Sequence, residues 1–221
     1  MAKIQESYDA HLKKFTDNEI AQSGYFRACG DIDIARALKA AQATVIRNGN
    51  ELENLIFDIS THHTKKEKGK YDGSPLPDDR LFVKYKINKK YLAGNKGSEI
   101  DIVMFTPKTI YVCELKDGDN FDTKKSSGEV DKLNLSCEFF KEKDHLSREV
   151  APLIVLWNCN DLKQSSFKDS RARTWLTTGR DFAPLINVDY DGLNLIREED
   201  QLENNKYILN LLKEITEESQ Q

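Results

Sequence analysis

Two short β-rich segments constrain this chain more than anything else in it. Ser98-Glu99-Ile100-Asp101-Ile102-Val103 leads to Phe105, and Ile110-Tyr111-Val112-Cys113-Glu114-Leu115-Lys116 follows after Thr106-Pro107-Lys108-Thr109. A four-residue connection containing proline suits a hairpin built on a type I turn. Closing it with Phe105 opposite Ile110 sets Asp101 opposite Glu114, and Glu99 opposite Lys116. Side chains alternate along a strand, so Glu99, Asp101 and Val103 are expected on one face, with Val112, Glu114 and Lys116 beside them. Opposed Cβ atoms lie about 4.5–5.5 Å apart. Two carboxylates that close repel unless positive charge intervenes, and their hard oxygens suit a divalent cation such as Mg²⁺. A lysine two residues on, on the same face, can polarise a water or neutralise charge developing on a phosphate. The competing reading is a hairpin decorated with exposed acids. It fits poorly with Val103, Ile110 and Val112, which mark this face as buried.

The rest of the chain frames that hairpin. Asp31–Asn48 carries Ile34, Ala37, Leu38, Ala41 and Val45 at helical spacing. Gly49 interrupts, and Asn50 is a candidate N-cap for a second helix through Glu51, Glu53, Leu55 and Ile56. Thr64–Asp79, rich in Lys, Gly, Pro and Asp, reads as a loop. Arg80–Asn88 alternates, which predicts a strand with Leu81, Val83, Tyr85 and Ile87 on one face. Ser126 and Glu129 have capping-box spacing and open a helix with Val130, Leu133, Cys137 and Phe140 in one stripe. Ala151–Cys159 is a continuous apolar run, as expected of a strand buried on both faces. The intervening helix then makes a parallel crossover. Asp200–Ile215 reads as a final amphipathic helix. The expected class is α/β, a central mixed β-sheet flanked by helices, with a helical N-terminal extension. We expect one domain over 1–221: an extension (1–48), a core (49–159) and a C-terminal elaboration (160–221).

Composition narrows the function classes. The 221 residues are 38% hydrophobic and 32% charged, enough for a core and too apolar for a disordered chain. No apolar run approaches the length of a membrane-spanning helix. The beginning of the chain does not have the layout of a signal peptide. Cys29, Cys113, Cys137 and Cys159 are scattered, and with His11, His62, His63 and His145 they make no zinc pattern. Net charge is −4, yet residues 62–96 hold ten basic against four acidic residues. Such asymmetry can hide a basic, nucleic-acid-facing surface within an acidic total. Lys65, Lys66 and Lys68 in that stretch, and Lys124 and Lys125 beyond the hairpin, are candidate phosphate contacts; a solvated surface is the alternative.

Asp101 and the triplet Glu114-Leu115-Lys116 on successive strands resemble the PD-(D/E)xK nuclease superfamily, specifically type II restriction endonucleases. The stretches Glu114–Glu129 and Leu176–Phe182 are similar to such enzymes too. The likeness covers about Gly49 to Cys159, and departs from the pattern in having Ile100 rather than proline before Asp101. The resemblance implies Mg²⁺-dependent cleavage of double-stranded DNA at a short sequence, by a homodimer in a prokaryotic cytoplasm. It implies that Asp101, Glu114 and the Leu115 carbonyl hold the metal and that Lys116 positions the water. A carboxylate of the preceding helix often completes such sites, and here Glu53 is favoured over Glu51; both also fit as solvated helix residues. Glu99 is either a supporting partner of Lys116 or a surface acid. Alternative functions are a structure-specific repair or junction nuclease of the same fold, and a non-catalytic DNA-binding module.

Overall fold

A computed structural model describes residues 9–11, 13–49, 51–60, 68–92, 97–118, 126–164, 167 and 169–218. The chain divides into two compact units, Met1–Glu51 with Asn194–Gln221, and Leu52–Leu193.

The first unit is helical. α1 (Asp17–Ala21) starts at Thr16, whose hydroxyl accepts the Glu19 N–H while the Glu19 carboxylate accepts the Thr16 N–H. α2 (Gly24–Cys29) ends on Gly30 at φ 72°, a conformation that costs glycine nothing. α3 (Ile32–Gly49) follows the expected helix closely. Among its described side chains Ala35, Ala37 and Ala40 are buried and Leu38 is exposed, so of the expected stripe Ala37 is buried and Leu38 is not.

The second unit is built on six strands in the order β1-β2-β3-β4-β5-β6. α4 (Glu51–Ile59) leads into β1 (Lys68–Lys70), β2 (Arg80–Ile87), β3 (Ser98–Phe105) and β4 (Thr109–Lys116). α5 (Ser126–Lys143) then crosses to β5 (Glu149–Leu156), followed by β6 (Leu176–Thr178) and the single turn α6 (Gly179–Phe182). The pairs β2–β3 and β3–β4 are antiparallel, and β1–β2, β4–β5 and β5–β6 are parallel. The architecture is therefore the expected mixed sheet flanked by helices. α7 (Tyr190–Glu218) starts ten residues before the expected last helix and ends three beyond it.

One expected loop contains a strand. Within Thr64–Asp79, β1 pairs with β2, and Gly69 makes this possible: a Cβ there would sit 2.2 Å from the Tyr85 ring. Composition signalled a loop because Lys and Gly favour no strand; the aromatic floor supplied by Phe82 and Tyr85 overrides that preference. Asn50 and residues 61–67 lie outside the described residues.

Each sheet face has its own core. On one, Val103, Phe105, Ile110, Val112, Ile154 and Leu156 pack under α5 through Val130, Leu133, Cys137 and Phe140, the predicted stripe. On the other, Ile102, Met104, Cys113, Leu115, Val155 and Trp157 meet Leu52 and Ile56 of α4. β5 is thus buried on both faces, as its apolar run requires. The three described cysteines of this unit are buried free thiols, and no described helix is long and apolar enough to cross a membrane.

A buried ion pair ties the far ends of these strands. Arg148 and Asp144 side chains are each 1% exposed and joined at 2.7 Å. Arg148 also donates to the carbonyls of Pro77 (2.8 Å), Asp78 and Thr106. It thereby links the β1–β2 connection, the hairpin turn and the start of β5. Removing one partner leaves the other charge buried and uncompensated, so Asp144→Ala is expected to lower the unfolding free energy by about 3–5 kcal/mol. Urea denaturation checks this; a loss within the error of the measurement would show that the pair ties nothing together.

Candidate active site

The hairpin forms in the expected register. Phe105 lies opposite Ile110, Val103 opposite Val112 and Ile102 opposite Cys113. Its turn is fastened by Thr106, whose N–H and hydroxyl both donate to the Thr109 carbonyl, while its Oγ1 accepts the Thr109 N–H. The described ladder ends at Ile102–Cys113. One residue further, the Asp101 carboxylate accepts the Leu115 N–H at 2.8 Å. A side chain therefore occupies the place of a backbone acceptor.

A break in alternation underlies this. In β2, Leu81 belongs to the α4-side core, while Tyr85 and Ile87 belong to the α5-side core, with Phe82 packed against it. The four residues expected on one face are thus split. Between them stands Lys84 at φ 55°, a left-handed conformation rare for lysine. Val83 pairs with Ile102 and Tyr85 with Ile100, so Lys84 stands across from Asp101. β3 breaks at the same level: Ile100 packs in the same core as Val103 and Phe105. The expected shared face for Glu99, Asp101 and Val103 is therefore not formed. Glu99 pairs instead with Lys86 of β2 at 3.0 Å in an exposed position, and does not face Lys116.

Glu114 and Lys116 do share a face, the one turned toward α5. The Lys116 Nζ donates to Glu114 Oε1 at 2.9 Å and to Glu129 Oε1 of α5 at 2.9 Å. Lys132, one turn further along α5, donates to Glu114 Oε2 at 3.3 Å. Glu129, expected to complete a capping box with Ser126, a residue whose side chain is not described, places its Oε1 on the Lys116 ammonium. Glu53 approaches from α4, on the opposite side of the sheet. It is buried, and its Oε2 has no hydrogen-bond partner among the described residues; the Lys84 Nζ stands 3.4 Å away. Glu53, Asp101, Glu114 and Lys116 thus gather where β3 and β4 part. Lys84, Glu129 and Lys132 join them. Sequence reading missed these three as site residues, although the i, i+3 spacing of Glu129 and Lys132 just after the hairpin was a usable signal.

The electrostatics record crowding of like charge. Burial, and then the Glu114 charge, push the Asp101 carboxyl up to about 7. Burial raises Glu53 as well, opposed by Lys84 and reinforced by Glu114. Burial pulls the Lys116 ammonium down, but the Glu114 charge and hydrogen bonds to Glu129 and Glu114 outweigh it and hold it above its ordinary value. Among the described residues no three His, Cys, Asp or Glu side chains form a ready-made metal cage, and lysines occupy the Glu114 oxygens. The donor set nonetheless fits a hard cation: burial first, and then repulsion from Glu114, disfavour the charged forms of the Asp101 and Glu53 carboxylates, a cost that a divalent ion would offset. Of the candidate phosphate contacts, Lys68 is placed as the first residue of β1, while Lys65, Lys66, Lys124 and Lys125 lie outside the described residues.

Comparison with known proteins places this chain in a family. The chain is 34% identical over 209 residues to a type II restriction enzyme, HhaII, from Haemophilus parahaemolyticus, covering 88% of this chain and 90% of the relative. The chain belongs to the type II restriction enzymes. No protein-family profile matches it. Restriction enzymes of this type are site-specific deoxyribonucleases, hence hydrolases.

Asp101 generates a pH signature. Between its ordinary 3.8 and about 7, the folded restriction enzyme holds a proton that the unfolded chain releases. The stabilising contribution is therefore full below about 4 and is lost as pH rises through about 7. In EDTA, thermal stability should fall over that window and Asp101→Asn should flatten the fall. An unchanged slope in the variant would assign the titration to another group.

Proposed function

We propose that this restriction enzyme hydrolyses phosphodiester bonds of double-stranded DNA at a specific short sequence, in a reaction that depends on Mg²⁺. The convergence of Asp101, Glu114 and Lys116 at the parting of β3 and β4 carries this reading. Asp101 and Glu114, with the Leu115 carbonyl, are the groups that would hold the ion, and Glu53 supplies a further carboxylate from α4. When bound, the ion would neutralise charge on the scissile phosphate and lower the pKa of a water.

The residues of the chain then have separate tasks. Asp101 is fixed by the Leu115 N–H, so its other oxygen is set by the backbone. Glu114 must exchange an ammonium for the cation, and Lys132, at the longer 3.3 Å contact, is the weaker of its two partners. Lys116 stays protonated beside Glu114 and Glu129, which suits it to orienting the attacking water and to stabilising negative charge, not to taking a proton. Lys65, Lys66, Lys68, Lys124 and Lys125 are assigned to backbone phosphates, which supply salt-sensitive, sequence-independent affinity. A homodimer matches a two-fold symmetric site. The prokaryotic cytoplasm is where such an enzyme meets foreign DNA, consistent with the bacterial source of its relative.

Incubation with phage DNA and Mg²⁺ should give discrete fragments, and EDTA should stop their formation. Asp101→Ala should abolish cutting while sequence-specific binding persists. Full cutting in EDTA would remove the metal from the mechanism, and structure-dependent nicking would point to a repair-type nuclease. Lys116→Ala should slow single-turnover cleavage by about a hundredfold or more, since one electrostatic donor of this kind contributes about 3–4 kcal/mol. A Lys116→Ala protein cutting at wild-type speed would return Lys116 to the status of a surface lysine.

A further inference from the structure

Among the described residues Lys116 is held by Glu114 and by Glu129, and only the first of them belongs to the hairpin motif. Glu114 lies two residues away on the same strand and moves with it. Glu129 comes from α5, and its carboxylate meets the same ammonium at the same 2.9 Å. A lysine head on a flexible four-carbon stem has many directions open to it. Its side chain is 28% exposed, so a single anchor would leave water as a competing partner.

The helix that presents Glu129 is rigidly placed. Val130, the next residue, is fully buried, as is Phe140, and Leu133 and Cys137 sit in the same core. That core also holds Val112, two residues before Glu114 on the same strand. Packing of α5 on β4 therefore fixes where the Glu129 carboxylate stands relative to Lys116. Lys132, three residues on, reaches back to Glu114 from the same helix.

We infer that Glu129 is a positioning residue for the cleavage reaction: the first turn of α5 aims the Lys116 ammonium at the place where the attacking water and the phosphate meet. The inference rests on the reading of Lys116 given above. Glu129 touches neither metal nor DNA in this account. It acts by restricting Lys116 to one direction, and small displacements of such a group cost rate far more than affinity.

The test is single-turnover cleavage of duplex DNA at saturating enzyme and Mg²⁺, with DNA affinity measured separately without cleavage in Ca²⁺. Glu129→Ala should lower the cleavage rate by roughly ten- to a hundredfold. Glu129→Gln keeps a side-chain oxygen that accepts from the ammonium and should fall between wild type and Glu129→Ala. DNA affinity should stay within about threefold, because Glu129 is not a phosphate contact. Thermal stability should also be nearly unchanged, since a partly exposed ion pair contributes little to it. A merely structural role would move stability and leave the order of the two rates undefined. Wild-type cleavage by Glu129→Ala, alongside a crippled Lys116→Ala, would overturn the inference alone. Wild-type cleavage by Lys116→Ala would overturn the reading of Lys116 and this inference with it.

Discussion

The Leu115 N–H ends on the Asp101 carboxylate, and the geometry of the site follows from that single hydrogen bond. In an unbroken antiparallel ladder a backbone carbonyl would take this donor. Here the described ladder stops at Ile102–Cys113, and an acidic side chain closes it. The donor remains satisfied, so parting the strands does not leave a buried N–H unpaired. The carboxylate gains a fixed orientation in return. Beyond this point Glu114 and Lys116 stay paired with β5 while their side chains meet Lys132 and Glu129 of α5.

The break depends on β2. Lys84 adopts a left-handed backbone conformation across from Asp101, and on either side of this level residues of β2 and β3 exchange cores. Such conformations in a non-glycine residue cost about 1–3 kcal/mol and persist where the surroundings enforce them. The surroundings here are the Tyr85, Phe105 and Phe140 rings on the α5 side, mutually packed at 5.7–6.2 Å, and the α4 core on the other. The strain thus sits at the level where function needs a strand to stop behaving as one. Lys84 also sends its ammonium to Glu53, joining the third carboxylate to the same place.

Charge is arranged by alternation. Acidic groups Glu53, Asp101, Glu114 and Glu129 are interleaved with Lys84, Lys116 and Lys132, all drawn from α4, β2, β3, β4 and α5. Burial alone would neutralise such carboxylates by raising their pKa, as it does for Asp101. Lys116 and Lys132 hold the Glu114 carboxylate in place, at the cost that a cation must compete with them. Repulsion among the acids gives that competition its driving force.

The sequence by itself determined the hairpin, its register through Ile102 and Cys113, the α5 stripe and the doubly buried β5, and it singled out Asp101, Glu114 and Lys116 as candidates. These follow from periodicity and turn chemistry, which are local and need no knowledge of neighbours. Only the tertiary structure decided that β1 is a strand, because its support is a pair of rings more than ten residues away. It also decided that Glu99 serves Lys86, that Asp101 caps a backbone N–H, and that Glu129 meets Lys116. Period-two reasoning assumes that a strand keeps its alternation. It fails at Lys84 and Asp101, where cores on both faces compete for the same strands and packing, not local preference, sets which way each side chain turns.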